Sequence, residues 1–342
     1  MIYIIVGLAI LAVIFGYLAF RLRFNHKLIS KMSDEDLKIN TANLAEKLRN
    51  PKTYGSTPQI LAISKKLKKM YRLISEKIAN GDEIYQYEKL IYENYHNILS
   101  RFNSQTFKYF AILPHNYGRV RVILLAEYIV LNTHCAINKE NIKAIVDKFN
   151  EYTPLSSDEI SALPNALMYA LVAKITEIAS KSKMLKYYEN LAKTGKFAKE
   201  LAEIDDYLYF RSKFGKLEND RKLIDNYSGN IDNIEYIFTE KLANDFDIVA
   251  NIIASLNFIK KDLDGVYLLK INHTNCLLER DELYKSMDIV SKNDYLNIIE
   301  EVSNKHKIEE QITVQKLFEL QEATGEHFGK YLFEEKETLK HY

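Results

Sequence analysis

Apolar residues recur three and four positions apart along most of the chain, the spacing that turns one face of an α-helix toward a core. Ile84, Tyr87, Leu90, Ile91, Tyr95, Ile98 and Leu99 form one such series. Leu163, Leu167, Ala170, Leu171, Ile175 and Ile178 form another, and Ile248, Ile252, Leu256 and Ile259 a third. Sustained strand-type alternation is hard to find. Val266-Tyr267-Leu268-Leu269, after Gly265, is a short apolar run whose type the pattern leaves open. Helix starts are marked by Ser33, Ser156 and Ser291, each three residues ahead of an acidic residue (Asp36, Glu159, Asp294) in the spacing of a capping box. Thr57-Pro58 reads as an N-cap followed by proline at the first helical position. Breaks fall at 50–57, 103–118, 152–157 and 226–230, and no fixed-period repeat is present. The pattern predicts an all-α fold.

One segment departs from amphipathic spacing. Residues 2–20 carry no charged side chain; as a helix they would span roughly 28 Å, close to the hydrocarbon thickness of a bilayer. A cleaved signal peptide carries basic residues before its apolar stretch. Here Arg21, Arg23, Lys27 and Lys31 come after it, with no small-x-small cleavage site between. The expectation is a single uncleaved transmembrane helix in the cell (inner) membrane, with the soluble domain on the cytoplasmic side by the positive-inside rule. The predicted organisation is a transmembrane anchor at 1–24, a juxtamembrane connector with one helix at 25–57, and a multi-helix domain at 58–342 with room for a sub-boundary near 180–230.

Composition narrows the function. Lys plus Arg (47) and Asp plus Glu (46) nearly cancel, so no global basic field is available to hold nucleic acid. Gly (11) and Pro (5) are scarce, which disfavours a turn-rich sandwich or barrel. Cys135 and Cys276 are far apart and fit a reducing compartment rather than a disulfide framework. The chain has no Trp and 24 Tyr; at helical spacing the tyrosines read as half-buried core.

Candidate chemistry is sparse. There is no glycine-rich phosphate loop and no H-E-x-x-H. His134-Cys135, read as neighbours on a helix, would point about 100° apart and make a poor chelate. Asp262-Leu263-Asp264 matches a metal-diphosphate D-x-D but follows a helix and abuts Gly265, so it reads as a helix-terminating turn. Asp205-Asp206, Glu300-Glu301 and Glu334-Glu335 read as solvated helix faces. The run Lys65-Lys66-Lys68-Lys69 fits a solvated face and a contact with anionic headgroups about equally well. No catalytic, cofactor-binding or metal-binding residue is assigned, and no cofactor is expected. The candidate for an exposed interaction face is the Pro- and Gly-punctuated loop at 113–121 with His115, Arg119 and Arg121; the competing reading is an interhelix connector with Arg119 ion-paired to a nearby carboxylate. Residues 327–332 read as a packed tail after a helix stop at Gly325.

Three collinear stretches resemble the N-terminal helical region of the cyclic β-1,2-glucan synthases. The first, at 87–179, holds Asn94-Tyr95, Leu113-Pro114, Gly118-Arg119-Val120 leading to Ala126-Glu127, Thr153-Pro154-Leu155 and Glu159-Ile160-Ser161-Ala162-Leu163-Pro164, with Ser161 where the family usually has Trp. The second, at 251–300, holds Ser255-Leu256 and the Tyr284-x-x-Met287-Asp288 pattern running to Tyr295; Ser291-Lys292 stand for Thr-Arg, and Leu296 for a common Arg. The third is the helix at 309–323 followed by His327-x-Gly329-x-Tyr331-Leu332. Without Trp, the Q-x-x-R-W element of processive glycosyltransferases cannot occur here. The resemblance implies an accessory, non-catalytic role in β-1,2-glucan synthesis, with docking on a separate membrane glycosyltransferase. The partners expected are the lipid bilayer, through residues 2–20, and that enzyme. Two alternatives stand beside this one: a general membrane-anchored scaffold or regulator unrelated to glycans, and an enzyme using scattered carboxylates such as Asp262 and Asp264.

Overall fold

The computed structural model describes residues 34–51, 58, 60–102, 104–193 and 231–334. The expected transmembrane segment at 2–20, its basic flank, Ser33, Thr57, Asp205-Asp206, Glu335 and the break at 226–230 lie outside these residues. No helix among the described residues is long and apolar enough to cross a membrane. The fold is all-α, as the periodicity predicts, with one small hairpin. The described residues fall into two compact units.

The first unit takes in Met70–Glu93 and Lys174–Ala250. Here the end of α2 (Ile60–Ala79) and the start of α3 (Gln86–Arg101) form a helical hairpin. Its turn carries Gly81 at φ +75°, a left-handed conformation that glycine adopts without steric penalty. Lys77 Nζ donates to both oxygens of Glu88 at 2.7 and 3.0 Å, and Glu88 accepts the Tyr85 backbone N–H at 3.0 Å. Farther along, Tyr71 and Tyr92 stack with ring centroids 5.1 Å apart.

The second unit takes in Ser33–Lys69, Asn94–Ala173 and Asn251–Tyr342. At its centre is α4 (Arg121–Asn132), whose residues Arg121 to Ala126 are all buried. A helix apolar around its whole circumference belongs in an interior. It packs on α5 (Lys139–Asn150), which is covered on another side by α1 (Asp34–Lys47). Side-chain hydrogen bonds tie these together: Thr153 Oγ1 to the Ala45 carbonyl at 2.8 Å, and Thr41 Oγ1 with Tyr128 Oη at 3.1 Å. The turn after α4 places His134 and Cys135 at φ +50° and +64°. It is secured by α7 (Ile231–Asp262), where Ser255 Oγ donates to the Cys135 carbonyl at 2.6 Å and accepts Ile137 N–H at 2.8 Å. The His134-Cys135 pair is thus in a turn and not on a helix, because the chain must reverse here to enter α5.

The break expected at 103–118 is more ordered than an open connector. It contains a 3-10 segment at Ser104–Ala111 and a hairpin of β1 (His115–Asn116) and β2 (Arg119–Val120). His115 pairs with Val120 and Asn116 with Arg119, leaving Tyr117 and Gly118 as a two-residue loop. Both loop residues have positive φ, +52° and +73°, as a type I′ turn requires. Strands of two residues are too short for alternation to register in the sequence.

The C-terminal part is a chain of short helices: α8 (Gly265–Ile271), α9 (His273–Leu278) and α10 (Glu282–Lys285), then α11 (Ile289–His306), α12 (Glu310–Thr324) and α13 (Gly329–Phe333). The run left open at 266–269 is helical. Asp264 caps α8 by accepting Tyr267 N–H at 2.9 Å, while Asp262 is the last residue of α7. Asp262-Leu263-Asp264 is thus a helix-to-helix turn. The expected capping box at Ser291 is displaced: Asp288 caps α11, accepting Val290 and Ser291 N–H at 2.8 and 3.0 Å. Gly325, at φ +74°, ends α12 as expected. The tail after it packs inward, with Phe328, Tyr331 and Leu332 buried against Tyr284, Tyr295 and Leu317.

Candidate functional site

The long helix α6 (Ser157–Lys193) begins at the point where the most buried polar side chains converge. Its start follows the sequence expectation. Ser156 Oγ accepts Glu159 N–H at 3.2 Å, and Glu159 Oε2 accepts Ser156 N–H at 3.1 Å, a reciprocal capping box. Pro164 lies inside the helix and removes a donor, yet burial of Leu163, Ala166, Leu167, Ala170 and Leu171 holds the helix together.

Three buried carboxylates and one guanidinium surround this first turn. Arg121 donates from Nε to Glu159 Oε1 at 2.8 Å, from Nη2 to Glu159 Oε2, and from Nη2 to the Pro154 carbonyl at 3.2 Å. Glu310, at the start of α12, accepts Ser157 N–H at 2.8 Å on Oε1; its Oε2 accepts Ser157 Oγ at 2.8 Å and Thr274 Oγ1 at 2.6 Å. Asn272 Nδ2 adds a donor to Ser157 Oγ at 3.1 Å. Glu300 of α11 accepts Asp158 N–H at 3.2 Å. Helix N–H groups without intrahelical partners attract carboxylates, so α6 gathers groups from α4, α9, α11 and α12.

The electrostatics are those of an interior crowded with acids. Burial, followed by repulsion from Glu310 and Asp158, pushes the Glu300 carboxyl up to about 9. Burial also raises Glu310, with Glu159 adding to the rise, against the lowering effect of its Thr274 and Ser157 donors. Glu300 therefore holds a proton at neutral pH. The expectation that Glu300-Glu301 is a solvated face fails for Glu300, which is buried; only Glu301 is exposed.

The residues singled out as an interaction loop lie beside this cluster, and two of the three point inward. Arg121 is buried by its pairing with Glu159. His115 is fully buried; its Nδ1 lies 2.6 Å from the Leu113 carbonyl and so carries the proton, while Nε2 finds no hydrogen-bond partner among the described residues. Arg119 is ion-paired with Glu127, and this half-exposed pair matches the connector reading. The exposed part of the loop is its tip, Tyr117 and Gly118, with Ile112 exposed just before it. Tyr117 Oη donates to the Lys47 carbonyl at 3.2 Å.

A second polar knot joins the other two stretches that carry the family resemblance. Asp281 caps α10, accepting Tyr284 N–H at 2.8 Å, and its Oδ2 accepts Gln321 Nε2 at 2.9 Å. His327 Nδ1 accepts Gly329 N–H at 3.1 Å, which leaves the proton on Nε2 to face Asp281 Oδ1 at 3.3 Å. Both nitrogens of the His327 ring are engaged within the protein. Donors from Gln321 and Tyr284, together with His327, draw the Asp281 carboxyl below its ordinary range against the opposing effect of burial. A side chain on Gly329 would collide with Tyr295 Oη and approach His327 Nδ1 at 2.9 Å.

The acids and the histidine that could support chemistry are engaged in internal ties. A surface crevice lined by Asn94, Asn97, Ile98, Ile253, Leu256 and Asn257 has no enclosed space even for a water molecule, against the roughly 300–1,000 Å³ of ligand pockets. Among the described residues, no group of three or more His, Cys, Asp and Glu is arranged to hold a metal ion. Sequence reasoning missed Glu300, Glu310, Thr274 and Asn272, whose partners lie far along the chain; Ser157, next to a recognised cap, was the one nearby signal. In comparison with known proteins, no family model matches the chain and no curated protein matches it.

Proposed function

We propose that this protein is a non-catalytic helical module, tethered to the cytoplasmic face of the membrane by residues 2–20, that serves β-1,2-glucan synthesis by docking on a separate membrane glycosyltransferase. The observation that carries the non-catalytic part is the use made of the buried carboxylates. Glu159, Glu300 and Glu310 each accept a backbone N–H at the start of α6, and Glu159 is neutralised by Arg121. Groups spent on holding helices are not poised toward a substrate. The glucan connection comes from the resemblance of the three stretches. Their Tyr284, Tyr295, Phe328 and Tyr331 pack into one core, which supports reading these motifs as what holds such a module together. Tethering confines the module to two dimensions and raises its effective concentration near a membrane partner, so weak contacts suffice.

The test is recovery of the partner. The full chain is crosslinked in its native membranes, extracted in mild detergent and purified, and the bound proteins are identified. A membrane glucosyltransferase is the expected product. Recovery of division, secretion or signalling proteins in its place, in cells that contain such an enzyme, refutes the glucan reading and leaves the scaffold alternative.

A further inference from the structure

The first half of helix α2 concentrates four lysines with no carboxylate on the helix beside them. Several lysines on other described helices sit three or four residues from a carboxylate and pair with it: Lys143 with Asp147 at 2.6 Å, Lys148 with Glu151 at 2.5 Å, Lys285 with Glu282 at 3.3 Å and Lys330 with Glu326 at 3.0 Å. From Ile60 to Ser75, α2 contains no acidic residue at all. Lys65, Lys66, Lys68 and Lys69 are exposed, and none is ion-paired to a described residue. Arg72 is paired with Glu76 at 3.4 Å and stands apart from this group.

The four lysines are arranged on one side. At 100° per residue, Leu61, Lys65, Lys68 and Lys69 fall within a sector of about 100°, and Lys66 widens the face to about 160°. The opposite side is apolar and buried, through Ile60, Ile63 and Leu67. At the N-terminal end of the basic face, one turn before Lys65, Leu61 is 68% exposed, an apolar side chain held in water. The chain as a whole carries a formal charge of only +1, so the concentration of positive charge is local.

We infer that the exposed face of α2 formed by Leu61, Lys65, Lys66, Lys68 and Lys69 docks on an anionic lipid surface. The inference rests on the tethered reading above, which keeps this helix beside a bilayer; among the described elements only α1 intervenes between residues 2–20 and α2. Unpaired lysines on flexible stems reach phosphate and carboxylate headgroups, while Leu61 enters the boundary between headgroups and acyl chains. Each lysine near an anionic surface contributes roughly a five-fold factor in affinity. The cytoplasmic leaflet is the one that carries anionic lipid, the side on which residues after Arg21 are placed.

The test is lysine footprinting of the full chain in lipid nanodiscs, which leave both leaflets open to reagent. One set of discs is phosphatidylcholine alone; the other is phosphatidylcholine and phosphatidylserine at about 7:3, a strongly anionic composition. Acetylation of Lys65, Lys66, Lys68 and Lys69 is read by mass spectrometry, with Lys143 and Lys285 as internal references. Their modification is expected to fall roughly five-fold in the anionic discs only, and to recover at about 1 M salt, where the screening length is ~3 Å. Equal rates in the two discs, or protection already present with phosphatidylcholine alone, overturns the inference. Co-migration with neutral discs reports the tether separately. A chain that ignores neutral discs but is protected on anionic ones keeps the lipid face and removes the tether, whereas one that co-migrates with both but shows no selective protection does the reverse.

Discussion

Arg121 and Glu159 offer a direct test of how the interior of the second unit is held. Both side chains are buried, Glu159 completely, and they meet through two parallel hydrogen bonds. Arg121→Leu leaves Glu159 as a buried carboxylate without a counter-charge. Glu159→Gln leaves Arg121 buried and charged, facing an amide. Breaking one side of a buried pair costs about 3–5 kcal/mol, and a loss of that size lowers the melting temperature by about 10 °C in a domain of this size. In the double variant neither member of this pair is charged, and the amide oxygen introduced in place of the Glu159 carboxylate still accepts Ser156 N–H, so the capping box survives. The double variant is therefore expected to be more stable than Arg121→Leu alone, with a coupling energy of about 2–3 kcal/mol in the cycle. Urea unfolding of the full chain in mild detergent, followed by helical circular dichroism, measures all four proteins. Additivity within about 0.5 kcal/mol would mean that the two side chains do not act as a unit, and the account of α6 as a helix anchored by Arg121 would be wrong.

Three further outcomes follow from other positions. Gly329→Ala drives a methyl into Tyr295 Oη and should cost about 1–3 kcal/mol; adding Tyr295→Phe removes the colliding hydroxyl and should restore much of the loss, while no recovery refutes the clash. Glu300 has its folded value raised from 4.5 to about 9, so its stabilisation is complete below about 4.5, declines as pH rises and is gone above about 9. Glu300→Gln should flatten that decline in urea titrations between those limits, and an unchanged slope would assign the proton elsewhere. Tyr117 is 59% exposed at φ +52°, where asparagine is preferred in type I′ turns. Tyr117→Asn should raise stability by up to about 1 kcal/mol; a loss exceeding about 1 kcal/mol would show that the bond to Lys47 outweighs the strain.

The sequence made the helices legible because each buries a stripe, and stripes repeat. It made local caps legible where the partner is three residues away, as at Ser156 and Glu159. Ser291 misled because Asp288, three residues earlier, starts the helix first by accepting Val290 and Ser291 N–H, which puts Ser291 inside the first turn. Glu300 misled for a different reason. Its exposed neighbour Glu301 is indistinguishable from it in sequence, and the burying partner, Asp158, belongs to another helix. Arg121 and His115 were placed in an exposed loop because the Pro and Gly around them mark a turn; the turn is real, but only its tip reaches solvent. Tertiary pairs of this kind leave no periodic trace, so the helical scaffold was readable and the polar cluster at its centre was not.

The bond from Glu310 to the first turn of α6 spans 153 residues of chain, and this sets an order of events during synthesis. When Ser157 leaves the ribosome, the carboxylate that will accept its N–H has not been made. At about 5–20 residues per second it arrives on the order of ten seconds later. Until then α6 starts with open donors, and the turn between α4 and α5 waits for Ser255 of α7 and Tyr267 of α8 to close over it. A nascent chain in that interval is the form most exposed to chaperones and proteases, so the yield of this protein in a cell should depend on how quickly its last hundred codons are read.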